Sequence, residues 1–234
     1  MMGFIFRGKH SNEFTGFVVK TVNNPLLPLK RMKKVNVIGH DGEYLFEDGY
    51  NNKILEFRCS LAKGTIKERR QVARDIASWL SATGDLILDN ENDKTYKVVK
   101  TVNDVSLAIE QAWDEFNIIF EAESFQYGGL KTMSFDNPTS VVVNNAGTYE
   151  AETIIGVTGT GNVTITCGTE SFTLTGLTGK LNVDSKRMLV YTDALENEIS
   201  KHSGEFIRLA PGNNTIAVTG SVSNMTVKFN DTYI

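Results

Sequence analysis

The sequence predicts a mainly β chain in two domains, an α+β domain with one helix followed by an all-β sandwich. Three observations predict this. Short alternating or apolar runs bounded by turn residues recur along the whole chain, and a single stretch, near residues 66–82, has a strong helical period. The composition also changes near Phe135-Asp136-Asn137-Pro138. Residues 1–135 carry 18 Lys/Arg and 18 Asp/Glu, residues 136–234 carry 6 and 10, and threonine rises from 7 to 16. Asn-Pro is a turn signal, and the residue before a proline is biased away from helix. The boundary is expected within a few residues of Tyr127 to Pro138, which gives domains 1–133 and 134–234.

A 234-residue chain can bury roughly 70% of its extended surface and needs no disulfide or metal to hold a core. Its apolar share of 41% and charged share of 22% are those of an ordered globular protein. In the first domain, strands are expected at Phe4–Phe6, Phe14–Val19, Val35–Ile38, Ile54–Leu61, Asp85–Leu88, Tyr96–Val102 and Phe116–Glu123. The helix is expected from Ile66 to Ala82. Thr65 and Glu68 have capping-box spacing, Val72, Ala73, Ile76, Ala77 and Leu80 form the core stripe beside Trp79, and Gly84 supplies the left-handed stop. Asp89 to Lys94 reads as a polar hairpin tip; it lacks the glycine and terminal glutamate of a calcium loop. Pro25, Pro28 and the basic run Lys30, Arg31, Lys33, Lys34 suggest an extended arm from Asn23 to Ile38.

In the second domain, strands are expected at Ser140–Val143, Glu152–Val157, Asn162–Cys167, Ser171–Thr175, Lys180–Asp184, Arg187–Tyr191, Phe206–Leu209, Asn214–Val218 and Asn224–Asn230. Turns are expected at Gly159-Thr160-Gly161, Cys167-Gly168, Thr178-Gly179 and Pro211-Gly212-Asn213. Short, evenly spaced strands with polar turns favour a two-sheet sandwich.

Convergent chemistry is absent from this pattern. No serine sits in a nucleophile elbow, and His10, His40 and His202 stand alone. With two cysteines they match no zinc spacing, so no metal or cofactor is expected. Cys59 and Cys167 read as two buried thiols in preference to a bridge. Gly39-His40-Asp41-Gly42 reads as a tight turn. The carboxylate pairs Asp114/Glu115 and Glu150/Glu152 read as solvated. A net charge of −4 argues against general nucleic-acid binding. No apolar run approaches the roughly 20 residues of a membrane span, and the amino terminus lacks a secretory signal. Sequons at Asn162, Asn213, Asn224 and Asn230 reflect a Thr- and Asn-rich β domain.

The order of features resembles the distal tail protein family of siphophages and prophages. Phe4-Ile5-Phe6 followed by Ser11-Asn12-Glu13-Phe14-Thr15-Gly16 looks like the family's opening strand and turn, and Ile38-Gly39-His40-Asp41-Gly42 resembles its glycine–aspartate turn, with Tyr50 and the strand from Ile54 following. The helix ending near Trp79-Leu80 and then Gly84 to Asp89 come next. Phe116 to Phe120 and Ser124-Phe125-Gln126-Tyr127 are similar to its closing strand and aromatic exit. Asn145 to Thr148 and Phe206 to Asn214, with Pro211, Gly212 and Asn214, match signals of its second domain. Ser124 stands where the family often has proline, and another expected proline is missing near Glu152.

The resemblance implies a non-enzymatic baseplate hub at the virion tail tip. Its first domain would form a homo-oligomeric ring, usually hexameric, and its second would be a galectin-like or carbohydrate-binding-module-like sandwich. The implied partners are the tail tube protein, a tail-tip protein and a receptor-binding protein. Within this reading, Lys30, Arg31, Lys33 and Lys34 are candidate inter-subunit contacts, and Gly39, Asp41, Gly42, Phe125, Tyr127, Pro211, Gly212 and Asn214 mark turns and boundaries. A second reading is a module that binds a cell-surface glycan through Tyr149, Tyr191 or Phe172, and a third is a hydrolase using surface carboxylates.

Overall fold

The computed structural model describes residues 2–62, 64–102 and 114–234, with the side chain of Asp114 left out. Trp113 and the Asp114 carboxylate lie outside the described residues. The chain divides into two compact units, Met1–Gln126 with Ile234, and Tyr127–Tyr233.

In the first unit, β1 (Phe4–Phe6), β2 (Lys9–His10), β3 (Phe17–Asn23), β4 (Lys30–Val35), β5 (Tyr44–Tyr50) and β6 (Lys53–Leu61) precede α1 (Ile66–Leu80), which is followed by β7 (Gly84–Leu88), β8 (Glu91–Thr101) and β9 (Asp114–Asp136). The sheet order is β2-β1-β7-β8-β9-β6-β3. Alternation places Leu55, Phe57, Cys59 and Leu61 of β6 inward and Ile54 and Arg58 outward, as a two-residue side-chain period requires. The core is aromatic. The Phe4 ring lies 4.6 Å from that of Phe57 and stacks on Trp79 at 5.3 Å, and the Trp79 indole N–H donates to the Phe6 carbonyl at 2.9 Å.

α1 starts where the sequence places it, because its cap is local. The Thr65 hydroxyl accepts from the Glu68 amide at 3.3 Å and the Glu68 carboxylate accepts from the Thr65 amide at 2.7 Å. Its buried stripe is Arg69, Ile76, Trp79 and Leu80, whereas Ala77 is exposed. The helix ends at Ser81 in a right-handed conformation, bonded back to Ser78, so the expected stop at Gly84 is corrected. Gly84 opens β7, and a Cβ there would lie 2.4 Å from Cγ of Arg7. The Asp89 tip is also narrower than expected: β8 already begins at Glu91, and the Asp89 carboxylate accepts from His10 Nε2 at 2.9 Å, the other ring nitrogen accepting from the Asn12 amide.

In the second unit, β9 ends and β10 (Ser140–Asn145), β11 (Ala151–Cys167), β12 (Glu170–Asp184), β13 (Leu189–Tyr191), β14 (His202–Gly204), β15 (Arg208–Leu209) and β16 (Gly212–Tyr233) build a β-sandwich. β11 pairs with both β12 and β16, β10 joins β16, and β13 and β14 join β12. Three strands are far longer than the sequence suggests. Gly159-Thr160-Gly161 is no hairpin turn; it lies inside β11, where the pairing with β16 shifts register between Thr158 and Gly159 and again between Thr160 and Thr164. Thr178-Gly179 likewise lies inside β12. A Cβ at Gly159 would sit 2.2 Å from the Ser221 carbonyl oxygen, so glycine is what lets the two backbones approach at the bend. The core here is mostly aliphatic, with Val157, Val163, Ile165, Leu174, Val183 and Val227 around Phe172 and Phe229.

Both cysteines are free and buried. Burial pushes the Cys59 thiol up to about 12. Burial also raises that of Cys167, helped by the charge of Glu170.

Candidate assembly surface

Among the described residues, β4 and β5 pair only with each other, as a separate two-stranded sheet. Opposite positions are Val35 and Tyr44, Lys33 and Phe46, Lys34 and Leu45, and Met32 and Glu47. Successive pairs point to opposite sides, so each face of the arm carries both apolar and charged groups. Before it, Leu26, Leu27 and Leu29 are exposed, and along it Met32, Val37, Ile38, Tyr44, Leu45 and Phe46 are exposed as well. A lone two-stranded hairpin is marginally stable in water, and large exposed apolar side chains gathered on one hairpin make it the candidate interaction surface.

The basic run lies on β4, and much of its charge is answered within the hairpin. Lys30 pairs with Glu47 at 2.8 Å and Lys34 with Glu43 at 3.0 Å, while Arg31 Nε donates to the Asp48 carbonyl at 2.8 Å. Exposed pairs of this kind contribute about 0–1 kcal/mol each; they set the hairpin's register more than its stability. Gly39 and Gly42 form the connection with φ of 83° and 91°, and Asp41 is exposed beside them. The apolar residues of β5 carry no period-2 signal, because neither face is buried, and sequence reasoning missed them.

The remaining marked residues fall elsewhere. Phe125 of β9 meets the Tyr50 ring edge-on at 5.5 Å. Tyr127 lies under the Lys186 ammonium at 5.4 Å. After Pro211 and Gly212, the Asn214 amide donates to the carbonyls of Ala210 and Gly212 at 2.8 and 2.9 Å, and this pins the turn into β16. Phe172 is buried in the sandwich core, which removes it as a platform for a sugar ring. Glu115 is bonded by Lys20 and Arg58, and these hydrogen bonds hold its carboxyl below the usual range. That suits an ion pair and not a general acid.

Among the described residues, no group of three His, Cys, Asp or Glu could hold a metal ion. No helix of the described residues is long and apolar enough to cross a membrane.

The chain matches no protein-family model and no curated protein. Among solved structures, it is similar to the Dit protein of phage SPP1, described as a paradigm of the hub adsorption apparatus in phages infecting Gram-positive bacteria. That similarity has a TM-score of 0.79 at 15% identity and covers 100% of both chains. Chains of the phage P2 baseplate in its activated conformation, with Ca and with Sr, match 98% of this chain and 97% and 98% of their own. Their TM-scores are 0.47 and 0.48 at 7% identity. Across both units, this chain has the fold of the phage distal tail protein Dit.

Proposed function

We propose that this chain is a structural, non-enzymatic hub protein of a phage tail tip. Its copies close into a ring, hexameric as the resemblance to siphophage distal tail proteins implies, that links the tail tube to the tail-tip and receptor-binding apparatus. The observation that carries this reading is a fold shared with a phage hub protein over the full length of both chains. The exposed β4–β5 arm supports it. A heterologous ring needs two complementary surfaces per subunit, and the arm offers one whose apolar residues are exposed among the described residues.

Reversing Lys30, Arg31, Lys33 and Lys34 to glutamate would set acids against Glu43 and Glu47 of the same hairpin, so that change disrupts the arm itself. The apolar residues give the cleaner test. Light scattering across a concentration range, with negative-stain images, is expected to show a closed ring with a central hole, and Phe46→Lys with Leu45→Glu is expected to leave folded monomers. Wild-type protein that stays monomeric both alone and mixed with tail tube protein overturns the ring, and a ring that survives both substitutions overturns the arm as its contact.

A further inference from the structure

Lys53 occupies the first of the core-facing positions of β6, in line with Leu55, Phe57 and Cys59, and is only 3% exposed. Its ammonium lies 5.7 Å from the centroid of the Tyr96 ring. Burial pulls it below the usual lysine range, with the charge of Glu91 working against the fall. The Tyr96 hydroxyl beside it donates to Glu91 Oε2 at 3.2 Å and accepts from the side-chain amides of Asn24 and Gln126. One proton given and two lone pairs used is the full capacity of a phenol. The Gln126 amide also donates to Glu91 Oε2 at 3.2 Å.

These groups come from both roots of the arm, from β8, which carries Glu91 and Tyr96, and from one stretch of β9. Asn24 follows β3 and leads into the arm; Lys53 opens the strand that leaves it. The neck is closed by the Asn51 amide, which donates to the Leu29 carbonyl at 2.8 Å. The Ser124 hydroxyl donates to the Tyr50 carbonyl at 3.4 Å, and Phe125 packs on the Tyr50 ring. Three consecutive residues of β9, Ser124, Phe125 and Gln126, therefore hold the base of the arm, and β9 continues from there into the second unit. The buried Asn24 Oδ1 has no hydrogen-bond partner among the described residues, but the Tyr96 hydroxyl at the centre is fully satisfied. A fully used donor and acceptor set holds its neighbours in one arrangement where apolar residues of similar shape would not.

We propose that the Asn24–Tyr96–Glu91–Gln126 cluster is a coupling joint: it ties the pose of the arm to the 124–126 stretch of β9, so that covering the arm alters that stretch and a shift of that stretch alters the arm. The proposal rests on the arm being an assembly surface, yet the joint is measurable in the monomer. Native-state hydrogen exchange on the full chain reads it. In Tyr96→Phe, amides of the neck (residues 24–29 and 50–53) and of residues 123–127 are expected to exchange faster together, by about threefold to tenfold, the change that loss of one hydrogen bond of ordinary worth produces. The amides of α1 should hold their rates. Asn24→Ala removes one spoke from a partly exposed position and should reproduce the pattern more weakly if Tyr96→Phe does not fold. Acceleration of the neck alone, acceleration everywhere, or no change overturns the joint. The ring is tested separately by light scattering on the wild type, so a missing ring with the paired acceleration present defeats the assembly reading and leaves the joint standing.

Discussion

In the first unit, three phenylalanine rings, of Phe4, Phe6 and Phe14, meet Trp79 of α1, and mostly short strands wrap the aromatic cluster. In the second unit, no α-helix takes part. Strands of 17, 15 and 22 residues fill the core with branched aliphatic side chains and bend where glycines bring backbones together. The first solution concentrates stability in a few large side chains and leaves a hairpin free to project. The second spreads it along continuous ladders and leaves few ways for one side chain to unmake the whole. The exposed apolar residues of the β4–β5 hairpin, the proposed assembly surface, accordingly lie outside the aromatic core of their own unit.

The sharpest way to break this comparison is to remove the ring at its centre. Trp79→Ala is expected to cost about 3–5 kcal/mol and to leave the Phe6 carbonyl without its indole donor. Hydrogen exchange should show lost protection in β1, β6 and α1 with β11 and β16 unchanged. Equal losses in β11 and β16 would mean that the two cores do not stand separately. In the second unit, Gly220 has φ of 115°, and a Cβ there would lie 2.4 Å from the Asn162 carbonyl oxygen. Gly220→Ala should cost about 2–3 kcal/mol in strain, read as a lower denaturant midpoint with second-unit amides affected first. A smaller effect is expected at the helix cap: Thr65→Ala should cost about 1 kcal/mol, with faster exchange confined to the first turns of α1.

The two units should also differ in acid. Burial between the rings of Phe172 and Phe206 lowers the pKa of His202, against a hydrogen bond with the Glu205 backbone. A histidine lowered in the fold binds fewer protons there than when unfolded, so its contribution is present above the unfolded value and lost as pH falls from there through the lowered folded value. In the first unit, hydrogen bonds lower Glu68, Glu115 and Glu121. Their contribution is present above the ordinary glutamate range and lost only as pH falls through their lowered values. Second-unit amides should thus begin to lose protection at a higher pH than first-unit amides, and His202→Gln should abolish that earlier step. Coincident acid transitions in the His202→Gln variant and the wild type would remove histidine from the account.

What was legible in the sequence followed from local chemistry. The Thr65–Glu68 cap and the stripe through Ile76 and Leu80 are set within one helix, and α1 begins where they place it. Glycine was the weak point, because it serves turns and bends alike. Gly159 and Gly161 read as a hairpin and proved to be a bend within one strand, and Gly84 read as a helix stop and proved to be a steric requirement beside Arg7. The arm was announced by Pro25, Pro28 and the basic run, but its working surface was hidden. An exposed Phe46 and a buried Phe57 look the same in one sequence until pairing partners are known. Lys53 was invisible for the converse reason: only the register of β6 turns an ordinary lysine into a buried one.

The two buried thiols have a practical consequence. With both held as protonated SH groups at neutral pH and shielded from solvent, neither is nucleophilic toward maleimides or disulfide reagents. A cysteine introduced at the arm tip, in place of His40, would react far ahead of both natural ones. The arm can then carry a fluorophore or spin label in an otherwise unaltered chain, and its movement during assembly can be followed by that single reporter.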